Sequence, residues 1–280
     1  MRNRSFSAAD GTPLDIIVHS ADDPHSVLLV YPCIGGTTRA YMVPHQELVS
    51  LGFLVIEYHP RAHGRSKGQM AMETALHDLY RYVSISGIDH MPFVIVAHSA
   101  GVNAVLHLNS AFIKISSLYA IQPVFDFQES MRYMYSEGNE EEFIKAISKW
   151  VHDEQELRAL LPDGKWLNPG NWFTGSYRQH VNEISTSALN LGDFLENFYI
   201  PGFNSYGSLA ANAWHTQILL SNKDAWYPVS TTQSLCKRHS IPITVVEQAK
   251  DHHLVGGWPY LWDAILASLE SSRTATTGSS

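Results

Sequence analysis

Apolar residues follow two rhythms along the first half of the chain. Strand-length runs dominated by apolar residues (27–31, 53–58, 93–97 and 115–120) alternate with stretches whose apolar residues recur every third or fourth position (41–50, 72–85 and 101–109). A run apolar on both faces belongs in a sheet covered on both sides, and a helix between two strands returns the chain so that the next strand runs parallel. The pattern predicts βαβ units in an α/β fold with a mostly parallel, doubly wound sheet. Ahead of them, Ser5-Phe6-Ser7, the turn signal Asp10-Gly11 and the run 14–18 predict a hairpin. The rhythm stops after Pro123. It resumes with a strand at 216–220, a helix at 231–238, a strand at 243–247 and a last helix at 259–269.

Between those parts, residues 123–206 carry no strong strand pattern. Phe143, Ile144, Ile147, Trp150 and Val151 share one face of an expected helix over 140–151, and 161–175 is rich in Pro, Gly, Asn and Trp. The expected organisation is one core, residues 1–122 and 207–270, with an inserted, mainly helical cap at 123–206. The Ser/Thr-rich tail, 271–280, is expected to be disordered.

Composition narrows the function. The 280 residues are 45% hydrophobic and 16% charged, as in a globular protein, with a formal net charge of -8. That balance, with no basic run longer than Lys237-Arg238, argues against a nucleic-acid surface. Two cysteines, Cys33 and Cys236, cannot staple a chain this long, so nothing calls for an oxidising compartment. The N-terminus has no apolar signal core, and no apolar run approaches the roughly 20 residues of a membrane span. The expectation is a soluble, cytoplasmic protein acting on a small molecule. A homodimer stays open.

Chemistry concentrates at Phe93-Val94-Ile95-Val96-Ala97-His98-Ser99-Ala100-Gly101. A buried strand runs straight into a helix, and a serine stands at the join. A nucleophile placed there takes a strained backbone conformation, and the residues two before and two after it must be small. Ala97 and Gly101 meet that demand. The helix that follows aims N–H groups at negative charge developing on a substrate.

On these residues the chain resembles the α/β-hydrolase superfamily, most of all its serine esterase, lipase and thioesterase groups with a helical cap. The usual elbow is Gly-x-Ser-x-Gly; here Ala97 replaces the first glycine. Three more segments match. Tyr31-Pro32-Cys33-Ile34-Gly35-Gly36 stands where the superfamily has its oxyanion loop, so Ile34 and Ala100 are the implied donors. Pro32-Cys33 replaces the usual His-Gly, which keeps Cys33 as the alternative to Ile34. The segment from Glu57 to Ser66 resembles the Asp-x-Arg-Gly-x-Gly-x-Ser loop. Its His59 and His63 are spaced like a metal pair, but Pro60 and Gly64 deny them a shared helix. Asp224, after one late strand, and His252 or His253, after the next, complete the order serine, acid, histidine that the superfamily uses.

The resemblance implies Ser99 as nucleophile, His252 as base and Asp224 as orienting acid, with His253 the alternative base. Imidazole suits the role because it is poised near pH 7, and the carboxylate fixes its tautomer. Cys33 has no base nearby in sequence and is not read as a nucleophile. The implied reaction is hydrolysis of an ester or thioester through an acyl-enzyme. An acyltransferase would use the same residues, and a non-catalytic ligand-binding member of the fold is the rival of a different class. Cys33, His98, Trp172, Phe198 and Trp226 are expected to line the substrate site, the aromatics suiting an apolar acyl group. No cofactor and no metal are expected.

Overall fold

A computed structural model describes residues 2–127, 129, 130, 133 and 204–277. The hairpin forms as β1 (Arg2–Ser7) and β2 (Pro13–Ser20), paired Ser7 to Pro13 through Arg2 to Val18. Then follow β3 (Ser26–Tyr31), α1 (His45–Ser50), β4 (Phe53–Tyr58), α2 (Met72–Ile85), β5 (Pro92–His98), α3 (Ala100–Leu106) and β6 (Lys114–Ile121). After the interruption come α4 (Tyr206–Ala211), β7 (Thr216–Leu220), α5 (Val229–His239), β8 (Ile243–Val245) and α6 (Trp258–Thr277).

The strands form an eight-stranded sheet in the order β1-β2-β4-β3-β5-β6-β7-β8. β1, β2 and β4 pair antiparallel, and every pairing from β4 across to β8 is parallel. Both faces are covered. Successive side chains on a strand point to opposite faces, so Val27, Leu29 and Tyr31 of β3 join the core under α2, α3 and α5, while Leu28 and Val30 join the core under α1 and α6. β5 divides likewise, with Phe93, Ile95 and Ala97 on one face and Val94 and Val96 on the other. This is the expected α/β architecture.

Several boundaries differ from the expectation. The helix expected over 41–50 starts only at His45, and Thr38–Tyr41 is a separate 3-10 turn. Met42 is left-handed (φ 52°), and Pro44 pushes the residue before it away from helical backbone. α3 stops at Leu106 instead of Asn109, and α5 begins at Val229, directly after Pro228. The last helix runs to Thr277, past the expected end at Leu269, because nothing between them breaks a helix; the tail expected to be disordered from Ser271 therefore begins as helix. The expected helix 140–151 lies outside the described residues.

The junctions of the interruption are described. Asn103 of α3, fully buried, donates from Nδ2 to the Val124 carbonyl, and its Oδ1 accepts from the Ser205 hydroxyl. The Ser205 N–H donates to the Phe125 carbonyl at 2.9 Å. The chain thus leaves the core and re-enters it at adjacent points, both clipped to the helix that begins after Ser99. No described helix is long and apolar enough to cross a membrane.

Candidate active site

Ser99 stands where β5 ends and α3 begins, with φ 56° and ψ -125°. A residue bearing a side chain rarely takes that conformation, and surrounding contacts must hold it. Its N–H donates to the Ile121 carbonyl at 2.9 Å, and its carbonyl accepts from the Val102 N–H at 3.1 Å. Ala97 is fully buried in the core. A Cβ on Gly101 would overlap the Pro32 carbonyl oxygen and lie 2.9 Å from the Tyr31 ring. The need for a small residue at 101 is thus set by close approach of the loop after β3.

Ser99 Oγ lies 2.7 Å from Nε2 of His252, and His252 Nδ1 lies 3.0 Å from each carboxylate oxygen of Asp224. The three residues follow β5, β8 and β7, and all are buried. A carboxylate facing Nδ1 calls for the proton there, leaving Nε2 to accept from the serine hydroxyl. Asp224 Oδ1 also accepts from the backbone N–H groups of Trp226 at 2.8 Å and Tyr227 at 3.3 Å, which orients the carboxylate. His252, not His253, is the histidine between Ser99 and Asp224.

Other predicted residues fall as follows. Ile34 is buried in the loop after β3, and Ala100 opens α3, so its N–H has no acceptor within its own helix. The Cys33 N–H is taken by the Tyr41 hydroxyl at 2.7 Å. Trp226 is half-buried and stacks on the His252 imidazole, centroids 5.0 Å apart and planes 16° apart, so its face covers the histidine. Trp172 and Phe198 lie outside the described residues. His98 is among the residues that wall a cavity beside the site, and its ring is otherwise enclosed. It is 1% exposed, and both ring nitrogens face protein atoms, Nδ1 the Tyr41 hydroxyl and Nε2 the His252 carbonyl, each at 3.0 Å. Its polar atoms are therefore committed within the protein. A cavity of about 350 Å³ opens beside these residues, walled by Cys33, Arg39, Tyr41, His98, His253 and Trp258 among others.

Four supporting residues were missed by the sequence reading. The Tyr41 hydroxyl accepts the Cys33 N–H. His63 Nε2 accepts from the Gly35 N–H at 2.9 Å, and His59 Nε2 accepts from the Thr38 N–H at 3.1 Å. The two histidines that resembled a metal pair therefore brace the loop after β3. Gln122, left-handed at φ 42° after β6, donates from Nε2 to the Asp251 carbonyl at 3.3 Å and accepts the Ser221 N–H at 3.0 Å. One side chain so bridges the two loops that carry Asp224 and His252. These roles leave no periodic trace, although the histidines stood in a recognised loop.

Among the described residues, His19, His45 and Glu57 form the one cluster close enough to share a metal ion. Their imidazoles are stacked face to face, 3.8 Å apart at 22°. A metal bonded to an imidazole nitrogen lies along its in-plane lone pair, and near-parallel planes this far apart give no common point of that kind. Instead, His45 Nε2 meets Glu57 at 2.8 Å as a hydrogen-bonded pair.

No protein-family model and no curated protein matches the chain. Solved structures do. A carboxylesterase of the ammonia-oxidising thaumarchaeon Nitrososphaera gargenis is 18% identical, with 98% of this chain and 100% of that one covered at a TM-score of 0.64. An alpha/beta hydrolase, GrgF, from a Penicillium species is 13% identical, covering 96% and 98% at 0.64. A bromoperoxidase from Bacillus anthracis is 15% identical, covering 96% and 100% at 0.65. The chain therefore has the α/β-hydrolase fold. Carboxylesterase and bromoperoxidase share it, so the activity has to be argued from the site.

Proposed function

We propose that the protein is a serine hydrolase that cleaves an ester or thioester of a small to medium apolar acyl group. The observation that carries the reading is the unbroken contact from Ser99 Oγ to His252 Nε2, and from His252 Nδ1 to Asp224. In the first step His252 Nε2 takes the Ser99 proton as Oγ bonds to the carbonyl carbon. The carbonyl oxygen becomes an oxyanion, accepting from the N–H groups of Ile34 and Ala100. Ile34 is preferred to Cys33 because the Cys33 N–H is already donated to Tyr41. The oxyanion then collapses, the alkoxide or thiolate leaves with the proton held by His252, and water repeats the sequence on the acyl-enzyme. Asp224 stabilises the imidazolium throughout, and the Trp226 face stacked on the ring adds a cation–π contribution.

A fluorophosphonate should label Ser99 in the wild type, and Ser99→Ala should abolish labelling and p-nitrophenyl ester turnover. Undiminished turnover by Ser99→Ala would overturn the reading. Labelling without hydrolysis, but with acyl transfer to an added alcohol or thiol, would move the assignment to an acyltransferase; no labelling at all would favour a non-catalytic binder. The acyl preference rests on the aromatic content of the segment holding Trp172 and Phe198. Each methylene entering an apolar pocket is worth about 0.8 kcal/mol, near fourfold in kcat/KM. A p-nitrophenyl ester series should rise with acyl length until the pocket is full. Equal turnover of acetyl and butyryl esters would remove that preference.

A further inference from the structure

We propose that Tyr41 and His98 are positioning residues that hold the two halves of this active site in register, gripping the oxyanion loop at Cys33 and the base at the His252 backbone. The inference rests on the reading of Ser99 and His252 as nucleophile and base. It starts from a run of buried hydrogen bonds. The Cys33 N–H donates to the Tyr41 hydroxyl at 2.7 Å. That hydroxyl meets His98 Nδ1 at 3.0 Å, and His98 Nε2 meets the His252 carbonyl at 3.0 Å. All four residues are buried.

The proton order in this run is fixed by its ends. A carbonyl only accepts, so His98 Nε2 carries the hydrogen and Nδ1 is the acceptor; a backbone N–H only donates, so the Tyr41 hydroxyl accepts at one side and donates at the other. Every bond therefore points the same way, from the oxyanion loop to the base. The arrangement needs a neutral His98. Burial, and secondarily the nearby His252, lower its pKa to about 3.

The run is also anchored. The Tyr41 ring lies stacked on Trp258 at 4.1 Å and 14°, and the Tyr41 carbonyl accepts the Trp262 indole N–H at 2.7 Å. His98 is the last residue of β5 and the immediate neighbour of Ser99. The loop that would hold the oxyanion and the loop that carries the base are thus both referred to the strand that delivers the nucleophile. Misplacing reacting groups by about 1 Å can cost on the order of 100-fold in rate. That is the error this linkage prevents.

The test compares Tyr41→Phe, His98→Asn and His98→Gln with wild type, each checked for folding by thermal unfolding. An asparagine amide reaches the Nδ1 position and a glutamine amide the Nε2 position, so His98→Gln keeps a donor for His252 and His98→Asn does not. Tyr41→Phe and His98→Asn are expected to lower kcat by about 10- to 100-fold with KM within about twofold, and to slow fluorophosphonate labelling of Ser99 by the same factor. His98→Gln should recover most of the labelling rate. Nitrogen-15 NMR of the wild type should show neutral His98 with its proton on Nε2, shifted in Tyr41→Phe. Wild-type rates in folded Tyr41→Phe and His98→Asn, a rise in KM alone, or a proton on Nδ1 would overturn the proposal. A wild type that neither labels nor turns over would instead strike at the proposed function, and those outcomes are distinct.

Discussion

At Gly101 the place of a side chain is taken by the Pro32 carbonyl and the Tyr31 ring. Gly101→Ala should therefore cost about 1–3 kcal/mol in urea unfolding, the usual penalty for forcing a methyl into packed space. The obstructing atom belongs to the backbone of the loop holding Cys33 and Ile34, so the Ser99 labelling rate should fall by at least about tenfold; wild-type stability and rate together would show the loop yields freely. That Ser99, Asp224 and His252 come together was legible because each follows a strand pattern and they succeed one another in the order the resemblance implies. The face His98 takes follows from the two-residue period of β5. His98 has the parity of Val94 and Val96, which face the α1 and α6 side, and there it meets Tyr41 and Trp258. Tyr41, His59, His63 and Gln122 act on partners distant in sequence, and hydrophobic pattern carries no record of such bonds.

Whole elements are tied by a few polar groups that composition alone hides. Arg61, after β4, donates from Nε to Asp78 of α2 at 2.7 Å and from Nη1 to Asp10 in the hairpin turn at 2.6 Å. Asp78 explains itself only through this partner, since it sits on the buried face of α2 with Ala75, Leu79 and Tyr82. The Arg61 hydrogen bond, with help from the Thr12 N–H, holds the Asp10 carboxyl well below its ordinary 3.8. A carboxyl with a depressed folded-state pKa contributes stability above its unfolded value, and that contribution is lost as pH falls through the folded one. Asp10→Asn should accordingly flatten the loss of thermal stability between about pH 5 and about pH 2, leaving the slope above pH 5 unchanged. An equally steep acid limb in the variant would show that the pair adds nothing. Strands such as 27–31 and 53–58 were readable to within a residue because their runs are continuous and flanked by turns, whereas β1 begins at Arg2 against an expected Ser5 and β8 ends at Val245 against an expected Glu247. Helix ends were read at α2, Met72–Ile85, but not where they depend on single residues such as Met42 and Pro44, or on the lack of a breaker before Thr277.

On the scale of the molecule, a mostly parallel sheet covered on both faces followed from the alternation of patterns; the order of its strands did not, and the cap at 123–206 is a proposal. What the described residues do fix is how that stretch is attached. Val124 and Ser205 meet on Asn103, and Phe125 bonds to Ser205. Because the ends already touch, closing them with a short chain costs little extra entropy. Replacing residues 134–203 by a short Gly-Ser linker should therefore leave a core that unfolds cooperatively and still cleaves p-nitrophenyl acetate, with discrimination by acyl length lost. An unfolded product would mean that the removed stretch belongs to the core. If that core folds and turns over, the junction is a socket: what plugs into it could lengthen, shrink or be exchanged while the sheet beneath kept its register. A lineage using such a joint can change its diet by trading one segment, and inherit the reactive apparatus intact.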